Sequence, residues 1–211
     1  VKHRRYLAPL DGLDPISSAP LACGGLTAWR AVQHSLRDLR DRGSDARATV
    51  IGAGGLGQYA LSYLRLLTDA HVIAVDISAD KLDAAIEIGA HQSVHADDLG
   101  DVAPADVVID FIGNDPTLIN AANHVARQGL VIVVGLGLGR IPFGFGAVPH
   151  EARFMSSVWG SRSELDDLLA CVRREPMLVR DVDVLPLAAA QDAHDRLRAG
   201  QTRGRIVLTT S

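Results

Sequence analysis

The sequence predicts an α/β fold built on a doubly wound parallel sheet, and three features of it carry that prediction. Short runs that are apolar at nearly every position alternate with longer segments of helical period. Such runs have no polar face to turn to water, so they read as strands covered by helices on both sides. The first complete run also opens into a glycine-rich stretch, "VIGAGGLGQYA" (50–60), and the second ends on an aspartate, Asp76.

Taken in order, residues 7–20 ("LAPLDGLDPISSAP") hold three prolines and read as irregular chain entering a helix near Leu26. "RATVIG" (47–52) is the first strand. Leu56, Ala60, Tyr63 and Leu67 then fall at i, i+4, i+7 and i+11, which is one face of a helix. "HVIAVD" (71–76) is a strand, 79–90 a helix, and "ADVVIDFIG" (105–113) a strand. A helix over 117–128 and the strand "GLVIVVGLG" (129–137) complete the alternation. The Gly/Pro-rich connection "LGRIPFGFGAVPH" (138–150) is long for a compact domain, a length that usually goes with function. Beyond it the sequence predicts a strand near 153–159 and a helix over 162–174, with Leu165, Leu168, Leu169 and Val172 on one face. A short strand at 179–185, a helix over 188–199 stopped by Gly200, and a last strand at 204–210 follow. These final fifty residues do not extend the alternation and read as part of a second unit.

The 211 residues are 47% hydrophobic and 22% charged, an ordinary globular mixture. A net charge of −4 argues against a nucleic-acid surface. The basic quartet Lys2-His3-Arg4-Arg5 reads as a solvated tail. No apolar run reaches the ~18 residues of a membrane span, and no signal peptide is recognisable. Two cysteines, Cys23 and Cys171, suit a reducing compartment, so cytoplasm is the expectation. Cys171 lies beside an apolar helix stripe and reads as packing. His91, His95, His124, His150 and His194 read as surface or loop residues, and Asp110 as a cap at a strand end. Phe154 and Trp159 read as core or as pocket lining. No G-x-S-x-G elbow is present, so hydrolase chemistry has no positive support.

Gly52, Gly54 and Gly57 fit G-x-G-x-x-G, with Gly55 as an extra glycine, at the junction of a strand and a helix. In that pattern the first glycine makes the tight turn, the second admits a pyrophosphate to the backbone, and the third lets helix and strand pack closely. Unpaired N–H groups and the dipole of the helix start then face the phosphates. Asp76 stands nineteen residues after Gly57, where a carboxylate accepts both hydroxyls of an adenosine ribose. An ordinary turn with a surface aspartate is the plainer reading, but strand, turn, helix and acid together favour a dinucleotide. Lys81, five residues on, either reaches the same ribose or is simply solvated.

Residues 20–211 resemble the medium-chain, zinc-dependent alcohol dehydrogenases, especially the bacterial NAD-dependent secondary-alcohol types. "LACGGLTAWRAV" resembles the segment that supplies a cysteine ligand to the catalytic zinc, here Cys23, and a threonine beside the nicotinamide, here Thr27. "VIGAGGLG", "AVDISADKL" and "AIEIGA" follow in family order; the resemblance sets the pyrophosphate on Gly54, Gly55, Leu56 and Gly57. "VVIDFIGN" is similar to the stretch in which Phe111 and Ile112 would flank the adenine. "VVGLG" resembles the strand end, Val134, Gly135 and Leu136, that borders the nicotinamide ribose. "VWGSRSEL", with Trp159, and "RGRIVL", with Arg205 toward the phosphates, resemble the family's C-terminal segment.

The family's barrel-like catalytic domain, with the other zinc ligands and the proton relay, has no counterpart in these residues. The resemblance thus implies a remnant of that domain and a linker (1–24), an NAD-binding Rossmann domain (25–160), and the C-terminal segment of the catalytic domain (161–211). The implied function is the NAD part of a zinc alcohol dehydrogenase, moving hydride between an alcohol, or its carbonyl product, and NAD. A homo-oligomer, dimer or tetramer, is implied as well. The alternatives are a stand-alone regulatory dinucleotide-binding module and a zinc-free quinone-reductase-like enzyme; Cys23 and Asp76 count against the latter.

Overall fold

The computed structural model describes residues 3–4, 7–202 and 204–210; Lys2 and Arg5 of the basic quartet lie outside them. Six strands form one sheet: β1 (Arg47–Ile51), β2 (His71–Asp76), β3 (Gln92–His95), β4 (Ala105–Asp110), β5 (Val125–Val133) and β6 (Arg153–Ser156). Their order is β3-β2-β1-β4-β5-β6 and every pairing is parallel. This is the doubly wound arrangement, in which strand order reverses between β1 and β4. A crevice opens there at the carboxyl ends of the strands, and ligands of such sheets bind in it.

Strand residues alternate between two cores, as the pleat demands. Ala48 and Val50, Val72 and Ala74, Val107 and Ile109, and Leu130 and Ile132 face one side. They pack there with residues from α2 (Gly24–Arg40), α3 (Gly57–Leu67) and α6 (Arg162–Arg174). Ile51, Ile73, Val75, Val108 and Val131 face the other side, with Ala121 of α5 (Asp115–His124) and Leu99. The helix α4 (Ala79–Ile88) ends on Gly89 at φ +110, a left-handed cap that glycine adopts without strain. Leu168, Leu169, Cys171 and Val172 of α6 belong to the first core. The expected division at residue 160 therefore cuts through packed side chains.

A separate two-stranded parallel sheet joins β7 (Val182–Pro186) to β8 (Arg205–Thr209). The short helix α1 (Pro15–Ser18) packs against both strands, so the two flanks of the chain meet; α7 (Ala190–Arg198) lies beside β7. Within the stretch 7–20 read as irregular, residues 15–18 form a helical turn, started by Asp14 accepting from Ser17 N–H at 2.8 Å, and a 3-10 turn over 19–22 follows.

Other departures have local causes. The helix expected to run to 128 stops at His124, and Val125 goes straight into β5. The pairing of β5 with β4 is irregular there, and Gln128 has φ +62, so this part of the strand lacks regular alternation. The strand β3 was not anticipated, because "QSVH" offers a single buried valine at the sheet edge. Trp159, expected inside a strand, follows the end of β6 at φ +51 and is 69% exposed. Phe154 is half-buried and meets Phe143 edge-to-face, with ring centroids 5.9 Å apart.

His124, read as a surface or loop residue, is buried, its Nε2 3.0 Å from Thr49 Oγ1 of β1. Burial, helped by Arg47, holds its pKa below the usual histidine value. The unfolded chain therefore takes up the proton more readily, and folding stability falls as pH drops below about 6.5, by at most about 1.4 kcal/mol per unit. Urea denaturation between pH 7.5 and 5.5 should show this loss, and His124→Gln should flatten it. An unchanged slope in the variant would assign the loss elsewhere, His91 being the other histidine whose pKa is lowered, mainly by burial.

Candidate cofactor site

The glycine loop lies at the carboxyl end of β1, where the sheet reverses. Gly52 turns the chain at φ +90 while its N–H continues the ladder to the Val75 carbonyl (2.8 Å). A Cβ at Gly57 would stand 1.9 Å from the Gly52 oxygen, so only glycine lets α3 start this close to β1. At Gly54 the same construction meets nothing within 4 Å. At Gly55 it would strike Arg205 Cδ at 2.6 Å, because the arginine of β8 lies across the loop. Arg205 also borders Gly24, as does Leu56. Thus two residues distant in sequence, Gly24 and Arg205, flank a loop whose free N–H groups begin a helix. Backbone donors, a dipole and a guanidinium together make an anion site suited to a pyrophosphate.

Asp76 is buried and braces that loop. Its Oδ2 accepts from Ala53 N–H at 2.9 Å, and its Oδ1 from Ile77 and Ser78 N–H at 2.9 and 3.1 Å. Three of a carboxylate's roughly four acceptor positions are filled, which leaves it room for one ribose hydroxyl rather than the expected two. Lys81 stands beside it, Nζ 3.8 Å from Oδ1.

A cavity of about 250 Å³ opens between the ends of β1, β2 and β4. Ile51, Val75, Ile77, Ile112 and Pro116 form its apolar walls, with Asp76 and Gly52 at one side. Ile112 belongs to this wall, whereas Phe111 is half-buried against the first core. Asp110 folds the loop after β4 as a cap, accepting from Ile112 and Gly113 N–H (2.8 and 3.0 Å) and from Thr117 Oγ1 (2.8 Å). Asn114 completes it with a capping box to Thr117. A larger cavity, of about 590 Å³, lies beneath loop 143–152 and shares no residue with the glycine loop. Of these two cavities only the smaller borders the glycine loop, at Gly52.

Residues 135–139 run against 110–113, with Gly135, Gly137 and Gly139 N–H bonding the carbonyls of Asp110, Ile112 and Gly113 (3.0, 3.0 and 2.8 Å). A Cβ at Gly135 would fall 2.1 Å from the Ile112 carbonyl carbon, so this glycine serves backbone packing first. Val134 is buried and Leu136 is 82% exposed. Thr27 is buried in the first turn of α2, its N–H on the Cys23 carbonyl (2.9 Å). Cys23 itself is exposed. Trp159 adjoins Gly160, whose position is pressed against Leu26 of α2.

The donor set does not fit a resident zinc ion. Catalytic zinc takes three protein ligands, and no three His, Cys, Asp or Glu side chains converge among the described residues. No helix among them is long and apolar enough to cross a membrane.

Sequence reasoning did not find the cavity residues Asp97, Asn114, Pro116, Thr117 and Asn120. The capping pair Asn114/Thr117 was readable as N-x-x-T before an apolar helix. The remainder meet only through the topology.

Comparison with known proteins agrees with this geometry. The profile of the zinc-binding dehydrogenase family matches residues 55–174, more than half of the chain. An NAD-dependent alcohol dehydrogenase from Sulfolobus acidocaldarius is 31% identical over 97% of the chain and 60% of its own length. A D-arabinose 1-dehydrogenase (NADP(+)) from Saccharolobus solfataricus is 27% identical over 99% of the chain and 62% of its own length. The crystal structure of an alcohol dehydrogenase from Aeropyrum pernix superposes with a TM-score of 0.85 at 30% identity. It covers 95% of this chain and 60% of that one. The chain thus spans about 60% of the length of the relatives it matches, and on the match over 55–174, set on a doubly wound sheet with its glycine loop in place, it belongs to the zinc-binding dehydrogenase family.

Proposed function

We propose that the chain is the NAD-binding portion of an alcohol dehydrogenase that exchanges hydride between an alcohol, secondary in type, and NAD. The observation that carries this is the glycine loop: Gly54 open to the crevice, Gly57 sealed against Gly52, and Arg205 laid across Gly55. Gly54–Gly57 and Arg205 would hold the pyrophosphate, Asp76 and Lys81 the adenosine ribose, and Ile112 with its neighbours the adenine. Val134, Gly135, Leu136, Thr27 and Trp159 are assigned to the nicotinamide end. Bound NAD would supply the hydride acceptor; this chain binds and orients it. Because one relative is named for NADP, the choice of dinucleotide rests on Asp76 rather than on kinship.

Cys23 is assigned as one thiolate ligand of a zinc site that needs donors from outside this set. Calorimetric titration with NAD should give one site per chain. The same sample should hold less than stoichiometric zinc after dialysis and form no NADH from secondary alcohols. Failure to bind NAD overturns the reading; tight zinc with turnover would overturn the assignment of Cys23 as an incomplete site.

We place the division between the cofactor unit and the second unit near residue 180, after Leu178 and Val179 of the first core, with α1, β7, α7 and β8 in the second. Both that unit and loop 136–145 expose apolar side chains, including Val184, Leu187, Leu197, Leu138 and Phe145. Unpaired edges and such patches favour pairing. Sedimentation at increasing concentration should show dimers or larger species, and a sharp monomer throughout would refute self-association.

A further inference from the structure

The polar groups in the wall of the smaller cavity are not equally available. Asn114 Oδ1 is taken by Thr117 N–H (3.0 Å), Thr117 Oγ1 by Asp110 and Asn114, and Asp76 by three backbone N–H groups. Two side chains in the wall have no such duty. Asn120, half-buried on α5, makes no side-chain hydrogen bond among the described residues. Asp97 has only His95 near it, Nδ1 3.4 Å from Oδ2, so Oδ1 has no partner among them. Asp97 comes from the turn after β3 and Asn120 from the helix after β4. The strand order brings them into the wall of one slot, beside the apolar side chains of Ile51, Val75, Ile77, Ile112 and Pro116.

An adenine in this slot carries one group that needs an acceptor, its 6-amino group. We propose that Asp97 reads that amino group and selects a 6-aminopurine over a 6-oxopurine dinucleotide, with Asn120 completing the hydrogen bonds of the base. This rests on the NAD reading above. The two residues differ in what they discriminate. An asparagine amide turns over to donate or accept, so Asn120 serves either base. A carboxylate only accepts; facing the carbonyl oxygen of hypoxanthine it would meet a second acceptor, and sites that leave a polar group unpaired reject the analogue.

Calorimetric titrations of this chain with NAD and with nicotinamide hypoxanthine dinucleotide test the proposal. Wild type should bind NAD at least about tenfold more tightly. Asp97→Asn, which restores an ambivalent group, should shrink that ratio to within about threefold, chiefly by tightening the hypoxanthine form. Asn120→Ala should weaken both dinucleotides and leave the ratio standing. Equal wild-type affinities, or a ratio that Asp97→Asn leaves intact, overturn the base-reading role while NAD binding stands. Failure of both dinucleotides to bind overturns the NAD reading and this inference together. Asp97 is largely exposed, so the variant keeps its fold; circular dichroism confirms it in the same samples.

Discussion

Gly57→Ala is expected to destabilise the chain strongly, and Gly54→Ala almost not at all, although both glycines belong to one motif. At Gly57 the added methyl would lie 1.9 Å from the carbonyl oxygen of Gly52 and 3.0 Å from its carbon. These are backbone atoms at the strand end and cannot yield as a flexible side chain does. Relief requires α3 to slide off β1, and α3 carries Tyr59, Ala60, Leu61, Tyr63 and Leu64, all fully buried. Overpacking of this kind costs about 1–3 kcal/mol, and more where the backbone must move. Gly54 has nothing within 4 Å, so its alanine variant should unfold in urea like wild type. Its methyl, however, would occupy the open space that the proposal gives to the pyrophosphate, and NAD affinity should fall at least about tenfold, a difference of about 1.4 kcal/mol. Urea midpoints and calorimetry on both variants separate the two roles. A Gly57→Ala protein as stable as wild type, or a Gly54→Ala protein that binds NAD normally, would show the loop to be wrongly read.

That contrast also shows what was legible in the sequence. Each buried strand of the central sheet announced itself by continuous apolar character, because both of its faces are covered; the glycines marked where β1 ends for the same reason that fixes their structure. What stayed hidden was set by neighbours distant in sequence. His124 sits in the last turn of α5 and looks exposed until β1 brings Thr49 to it, 75 positions away. Asp97 follows a strand too short and polar to be seen, and it matters only because β3 lies next to β2. Arg205 could be tied to the loop through family resemblance alone; no period or spacing links β8 to Gly55. Trp159 misled because a φ of +51 is rare for a bulky side chain, and an aromatic after "FMSSV" reads more naturally as strand.

The chain is expected to prefer NAD to NADP by about a hundredfold or more, equivalent to about 2.7 kcal/mol. A 2′-hydroxyl gives Asp76 a charge-assisted hydrogen bond, about 1.5–3 kcal/mol, at the one acceptor position its three backbone bonds leave open. A 2′-phosphate in that place would lose this bond and meet the carboxylate as a like charge. Lys81, 3.8 Å from Oδ1, offsets part of the repulsion, but residues 77 and 78 are Ile and Ser, and no arginine follows to clasp the phosphate. Asp76→Gly with Ile77→Arg should therefore narrow or reverse the preference. It should do so at a cost that the ribose alone does not explain. Removing the carboxylate also frees Ala53 N–H, bonded at 2.9 Å, and with it the loop that presents Gly54 to Gly57. Affinity for NAD should fall further than the loss of one hydroxyl contact predicts, and even the favoured NADP should bind more weakly than NAD binds to wild type. Asp76→Asn keeps one acceptor oxygen, which can serve either Ala53 or Ile77 and Ser78 but not both, so it should loosen the loop less than glycine does while losing the charge-dependent part of the discrimination. Titration of the three proteins with both dinucleotides decides the matter: equal affinities in wild type would mean that Asp76 serves only as the brace of the glycine loop and never faces the ribose.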